Sequence, residues 1–236
     1  MKMLIRTLLL LCATGLLSFN GVDDGSKLSP AEREIIKTEL PSYPLTTCLV
    51  SKRALDSGDG PFDLVVNGHL FRVCCPGCED AAKAKAEELR AAIERAVISA
   101  QRAHWPFKKC PVSGESYDES ESQPVEFVHG TRYIKLCCKS CVSAFEYGPE
   151  VFMKEIDAAY IAEQLKGYPL KTCPISGKPL GEKPVDFLYG TTLVRLCCKG
   201  CKESFDADPK ASLKKIQQAW VKAHRESAER STPEKD

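Results

Sequence analysis

The sequence predicts an α+β fold of three tandem small units, each a β-hairpin plus helix with a Cys cluster at the strand–helix junction, joined by helices. Two observations carry that expectation. Twelve of the 13 cysteines fall into three sets of four that recur about every sixty residues. Between the first and second cysteine of each set, two alternating apolar runs flank a glycine-containing turn, and sequence with helical spacing follows the last cysteine. With 236 residues, 43% hydrophobic and 28% charged, the chain can bury a core, which separates it from a charged disordered tail and from a membrane bundle. Lys+Arg 33 against Asp+Glu 32 gives a net charge of +1, so no basic face is expected and nucleic acid is not an expected partner.

The elements follow in chain order. Lys2 and Arg6 precede an apolar run from Thr7 to Leu17, with Ser18, Asn20 and Gly21 after it. Charge, apolar run and small residues in that order predict a signal peptide over 1–20 and an exported chain, periplasmic or secreted. The run is too short to cross a bilayer, which takes about twenty helical residues, so no stable membrane span is expected in the mature chain. The competing reading is a short buried helix. Cys12 follows Leu9, Leu10 and Leu11 rather than small residues, so it belongs to the signal and not to a lipid-attachment site.

Residues 21–42 hold an N-terminal helix and linker, marked by Ser29 as cap, Pro30 in the first turn and Glu32 closing a capping box. The repeat units are expected at 43–104, 105–167 and 168–227, with a frayed tail at 228–236. Each opens on an aromatic, Pro, apolar step (Tyr43, Pro44, Leu45; Trp105, Pro106, Phe107; Tyr168, Pro169, Leu170) that reads as a packing plug. The lone cysteine follows in CLVSK (Cys48 to Lys52), CPVSG (Cys110 to Gly114) and CPISG (Cys173 to Gly177). Hairpins are expected to turn at Asn67 and Gly68, His129 and Gly130, and Tyr189 and Gly190. Helical sequence then runs over Glu79–Ala103, over Val142–Lys166 with a break near Gly148 and Pro149, and over Lys202–Arg230 with a break near Asp208 and Pro209. Lys83, Lys85, Glu87, Glu88, Lys214 and Lys215 read as solvated helix faces.

The candidate ligands are Cys48, Cys74, Cys75 and Cys78, then Cys110, Cys137, Cys138 and Cys141, then Cys173, Cys197, Cys198 and Cys201. A unit of about sixty residues with two strands buries little apolar surface and commonly needs a metal or disulfides. CxxC at a strand-to-helix junction converges two sulfurs beside a helix N-terminus, which favours thiolate, and the hairpin brings the lone cysteine back to them. Tetrahedral zinc takes four ligands, with sulfur at about 2.3 Å. Neighbouring residues on a strand point to opposite faces, so three thiolates per unit follow from the spacing. The fourth depends on whether the strand has bent before the doublet. Three soft sulfurs suit Cu(I) and four suit Zn, leaving Zn or Cu(I) open.

Exported cysteines can also pair as two disulfides per unit, and a redox-active CxxC is a third alternative, weakened by the absence of a βαβ surround. The histidines His69, His129, His104 and His224 do not recur at one place in the units and read as surface residues. No serine has a His or Asp at a repeating offset, and no Gly-rich phosphate loop occurs, so an enzyme is not expected.

CPVSG, a hairpin with a Gly turn, CCKSC, Phe145 and Pro149 form one string, and CPISG, CCKGC, Phe205, Asp208 and Pro209 form its counterpart. Together they resemble the YHS and TRASH-like heavy-metal-binding modules of bacterial metal-handling proteins, which are treble-clef-like. The likeness is close in units two and three and looser in unit one, covering about residues 43–220. It implies metal ligands at the knuckle (Cys48, Cys110, Cys173) and at the later pair (Cys74 with Cys78, Cys137 with Cys141, Cys197 with Cys201). Ser51, Ser113 and Ser176 stand where the family has a second knuckle cysteine, and unit one has Ala82 in place of Phe145 and Phe205. The departures point to unit one as a copy that has lost binding. The resemblance implies metal sequestration, delivery or sensing. The alternative is a structural or protein-interaction repeat protein held together by structural zinc or disulfides, with a protein partner on its surface.

Overall fold

The computed structural model describes residues 28–57, 60–117 and 123–231. The segment expected as a signal peptide at 1–20, Cys12 included, lies outside the described residues, as do the last five positions of the tail. Helix α1 (Pro30–Glu39) starts as its sequence dictates: Ser29 Oγ accepts the Glu32 N–H at 3.2 Å, and the Glu32 carboxylate accepts the Ser29 N–H at 2.7 Å.

Three antiparallel hairpins follow, β1 (Phe62–Val66) with β2 (His69–Val73), β3 (Val125–His129) with β4 (Arg132–Leu136), and β5 (Val185–Tyr189) with β6 (Thr192–Leu196). Each is followed by a short helix and then a longer one: α2 (Glu79–Ala84) and α3 (Ala86–Gln101), α4 (Lys139–Tyr147) and α5 (Pro149–Leu165), α6 (Lys199–Ala207) and α7 (Lys210–Ser231). The architecture is α+β, with a cysteine cluster at each hairpin–helix junction. No helix among the described residues is long and apolar enough to cross a membrane.

The elements depart from the sequence reading in three places. In units two and three the turn is one residue later than expected: His129 pairs with Arg132 and Tyr189 with Thr192, leaving Gly130 and Thr131, and Gly190 and Thr191, as the turn residues. Gly130 (φ 59) and Gly190 (φ 63) take the first central position, where a II′-like turn requires positive φ; in unit one both central residues, Asn67 (φ 51) and Gly68 (φ 77), have positive φ. The long helix expected after Cys78 breaks at Lys85 (φ −116, ψ 25), although no Gly or Pro marks it. Helix α7 runs on through Ser231, into the stretch expected to fray.

The breaks have one cause. The short helix must stay with the cysteines, while the long helix lies across its own unit's core and, for α3 and α5, also reaches the next hairpin. Ile93 and Val97 of α3, fully buried, belong to the core of unit one, and Ile156 of α5 and Ile216 of α7 do the same for units two and three. Burying such a side chain is worth about 1.5–3 kcal/mol.

One turn further along, Gln101 leaves its own unit. Its amide donates to Thr131 O at 2.9 Å and accepts the Tyr133 N–H at 3.0 Å, clamping the second hairpin; Gln164 does the same to Thr191 O (2.8 Å) and the Leu193 N–H (2.9 Å) of the third. Glu39 of α1 takes this place for the first hairpin and accepts the Leu70 N–H at 2.8 Å.

The units also close on one another rather than forming an open stack. Thr131 Oγ1 donates to Glu39 O at 2.6 Å, and Ser42 Oγ lies 2.7 Å from Thr131 Oγ1. A Cβ on Gly190 would stand 2.4 Å from Pro41 O, so the third turn also packs against this segment. The three turns thus meet around the end of α1 and border a half-open cleft of about 560 Å³ lined by Glu39, His69, His129, Arg132 and Asp157 among others.

Candidate metal centre

Each site is built from a knuckle and a junction. In the knuckle, the Cys48 N–H donates to Arg53 O and the Lys52 N–H to Cys48 O, both at 2.8 Å; Cys110 with Glu115 and Gly114, and Cys173 with Lys178 and Gly177, repeat the pattern. The turn needs positive φ at its fifth residue, found as 64° at Lys52, 76° at Gly114 and 71° at Gly177, which is why two of three copies carry glycine there. It aims backbone N–H groups at the lone sulfur, with the Ser51 N–H 3.5 Å from Cys48 Sγ.

At the junction the strands stop at Val73, Leu136 and Leu196, one residue before each doublet. The chain has left the pleat by the first cysteine, and the second is in extended backbone at the start of the helical segment. The strand alternation that separates neighbouring side chains therefore no longer applies. Doublet sulfurs stand 3.9 Å apart at Cys74 and Cys75, 3.8 Å at Cys137 and Cys138, and 3.9 Å at Cys197 and Cys198.

Three sulfurs per unit come together most closely: Cys48, Cys74 and Cys78; Cys110, Cys137 and Cys141; Cys173, Cys197 and Cys201, with all sulfurs of a set within 4.8 Å of one another. The second doublet cysteines, Cys75, Cys138 and Cys198, lie at the edge of these sets, Cys75 Sγ also reaching 3.7 Å from Cys78 Sγ. Cys137 to Cys141 is 3.5 Å and Cys197 to Cys201 is 3.7 Å. Four sulfurs at about 2.3 Å from a tetrahedral zinc stand about 3.8 Å apart, so the spacing fits ligation of a shared ion. A disulfide requires about 2.05 Å. The donor set is soft and fits a thiophilic ion.

Burial raises the Cys48 thiol, but hydrogen bonds from the Ser51 N–H and hydroxyl and from the Cys74 and Val50 N–H groups outweigh it and bring it down to about 6. The same competition brings Cys110 to about 7 and Cys173 to about 6. Cys138 and Cys198 are lowered chiefly by the backbone N–H groups of Cys141 and Cys201, and Cys75 by the Cys78 thiol. Burial pushes Cys78 and Cys201 up to about 12 and also raises Cys137 and Cys141. Each cluster thus pairs readily formed thiolates with thiols that hold their protons, and a bound cation would displace those protons.

Unit one is as well assembled as the others. Fully buried Ala82 replaces Phe145 and Phe205, and Phe71 replaces Ile134 and Val194, so the large residue has moved from helix to strand within one core. Its sulfur triad is intact.

The knuckle serines, noted in the sequence only as missing cysteines, touch the cluster. Ser51 Oγ lies 3.0 Å from Cys74 Sγ, and Ser113 and Ser176 lie 3.3 Å from Cys137 and Cys197 Sγ. The clamping residues Glu39, Gln101 and Gln164 were also missed, although they share one offset ahead of the lone cysteine. No histidine joins a sulfur set among the described residues. His69 Nδ1 lies 3.5 Å from Glu39 Oε1 beside the cleft between the turns, exposed His129 packs edge-on against Phe145 at 5.3 Å, and His224 stacks on Trp220 at 5.6 Å. The entry aromatics do plug the units: Trp105 packs edge-on against Tyr133 and Tyr160, and Tyr168 against Trp220. Compared with known proteins, the chain matches no family model, no curated protein and no solved structure, so its likeness to YHS and TRASH-like modules rests on the cysteine pattern and the sites it forms.

Proposed function

We propose that the chain is an exported metal-binding protein, carrying a soft ion of the Zn or Cu class at up to three Cys-rich sites, for sequestration, delivery or sensing. The observation that carries this reading is the threefold recurrence of three buried or half-buried sulfurs within 4.8 Å of one another. Export rests on the charged and apolar leader of the sequence. In this reading the protein binds and hands on an ion and catalyses nothing. Between the two metals we favour zinc, because a fourth sulfur stands within 3.9 Å of each triad.

A second reading is supported by the burial of the same cysteines inside each hydrophobic core: the ion is then a structural staple, and a surface of the repeat serves a protein partner. One experiment separates the two. Elemental analysis and free-thiol counting on the protein from its native compartment give metal content and redox state, and chelator titration follows with circular dichroism. About three ions that exchange while the fold persists support metal handling; ions that leave only on unfolding support the staple. Thiols fully paired as disulfides, with no metal, would sink both metal readings.

A further inference from the structure

The residue two places beyond the knuckle serine is Arg53 in unit one, Glu115 in unit two and Lys178 in unit three. Backbone hydrogen bonds fix the equivalence. The carbonyls of these residues accept the N–H of Cys48, Cys110 and Cys173 at 2.8 Å, and their own N–H groups donate to Ser51, Ser113 and Ser176 Oγ at 3.3 Å. Each side chain therefore leaves the backbone from the same point beside the sulfurs.

What those side chains do there differs. Arg53 Nη2 donates to Cys74 Sγ at 3.5 Å and to Cys75 Sγ at 3.3 Å, placing a fixed cation on two sulfurs of the first cluster. In the second cluster the Cys137 thiol donates to Glu115 Oε2 at 3.4 Å, placing an anionic oxygen at the same position. Lys178 brings a cation again, on a flexible stem.

We infer that this position is an affinity and specificity determinant that makes the three sites unequal, so that a divalent ion fills unit two first and unit one last. The inference rests on the metal-binding reading above. An arginine already bonded to the sulfurs offsets their negative charge, occupies their lone pairs and repels an incoming dication. A glutamate adds negative charge and offers an oxygen donor beside three or four sulfurs, which suits zinc and cadmium better than Cu(I). Groups of this kind change metal affinity by about 10–100-fold.

The test uses the full chain and cadmium alone as probe, followed by cadmium-113 NMR during substoichiometric addition. Wild type is expected to give separate cadmium–thiolate resonances that fill in sequence. Glu115→Gln should move the first-filled resonance and weaken that site by about tenfold or more, and Arg53→Gln should advance the last-filled one. Both side chains are exposed and both backbone bonds survive the substitutions, so the fold should persist by circular dichroism. Resonances that fill in parallel, or a filling order untouched by either substitution, would overturn the inference and leave the metal reading standing. Absence of any cadmium–thiolate resonance would overturn both.

Discussion

Ser113 Oγ lies 3.3 Å from Cys137 Sγ, at the place in the knuckle where the resembling modules carry a second cysteine. A sulfur there would join the cluster without moving the chain, because the hydroxyl it replaces already stands beside Cys137 Sγ. Ser113→Cys is expected to tighten zinc at unit two by about tenfold or more. Competition with a chromophoric chelator reads this directly, and unchanged affinity would mean that the serine does not point at the ion.

Replacing Cys138 and Cys141 together with Ser should remove one ion in about three and loosen unit two, whose core includes Cys141 beside Phe145 and Ile156. In an open stack the damage would stop at the neighbours. Here it should travel, since Thr131 of unit two bonds the end of α1 and Leu188 of unit three packs on the unit-two core. Hydrogen exchange is expected to rise in α1 and in β5 as well as in β3 and β4. Protection retained everywhere outside unit two would show the repeats to be independent.

The hairpins were legible because alternation and glycine are local signals, and the cysteine sets because they recur. Turn register was not: Gly130 and Gly190 announce a turn, but only strand pairing shows that each takes the first central position. The break at Lys85 left no mark of its own, yet it aligns with Gly148 and Asp208, and its cause is the packing of each long helix on the core of its own unit. The serines were visible only as absences, since a hydroxyl beside a sulfur 24 residues away is a product of the fold. The packing of the second and third turns against the end of α1 has no sequence signature, because it joins Thr131 to Glu39 and Ser42 and Gly190 to Pro41 across long separations in the chain.

Gln101 is nearly fully buried and both ends of its amide are used. Gln101→Leu keeps the volume but leaves Thr131 O and the Tyr133 N–H without partners, at about 1–3 kcal/mol each. Chemical denaturation should show a loss of about 2–6 kcal/mol. An unchanged midpoint would mean that water replaces the amide.

Glycine scanning separates backbone strain from crowding. Lys52→Gly should stabilise unit one by up to about 1 kcal/mol, since φ 64 at Lys52 is a left-handed conformation that glycine adopts freely. Gly190→Ala should destabilise by about 3 kcal/mol, from positive φ and a Cβ placed 2.4 Å from Pro41 O. Gly68→Ala meets nothing within 4 Å and should show the strain alone. Equal losses for Gly68→Ala and Gly190→Ala in thermal melts would argue against the packed hub.

Acid should weaken the second hairpin through Glu126. Burial raises this carboxyl, but hydrogen bonds from the Tyr133 hydroxyl and the Arg102 guanidinium outweigh it and hold it below its ordinary 4.5. A carboxyl lowered by folding contributes stability that is present above its unfolded value and is lost as pH falls through the folded one. Wild type should therefore exceed Glu126→Gln in stability near neutrality, with the gap closing as pH drops below about 4.5. The sulfur clusters are common to both proteins, so comparing the two at equal metal load isolates the carboxylate. Denaturation midpoints measured down the pH range test it; a gap that persists in acid would place the role of Glu126 in packing rather than in charge.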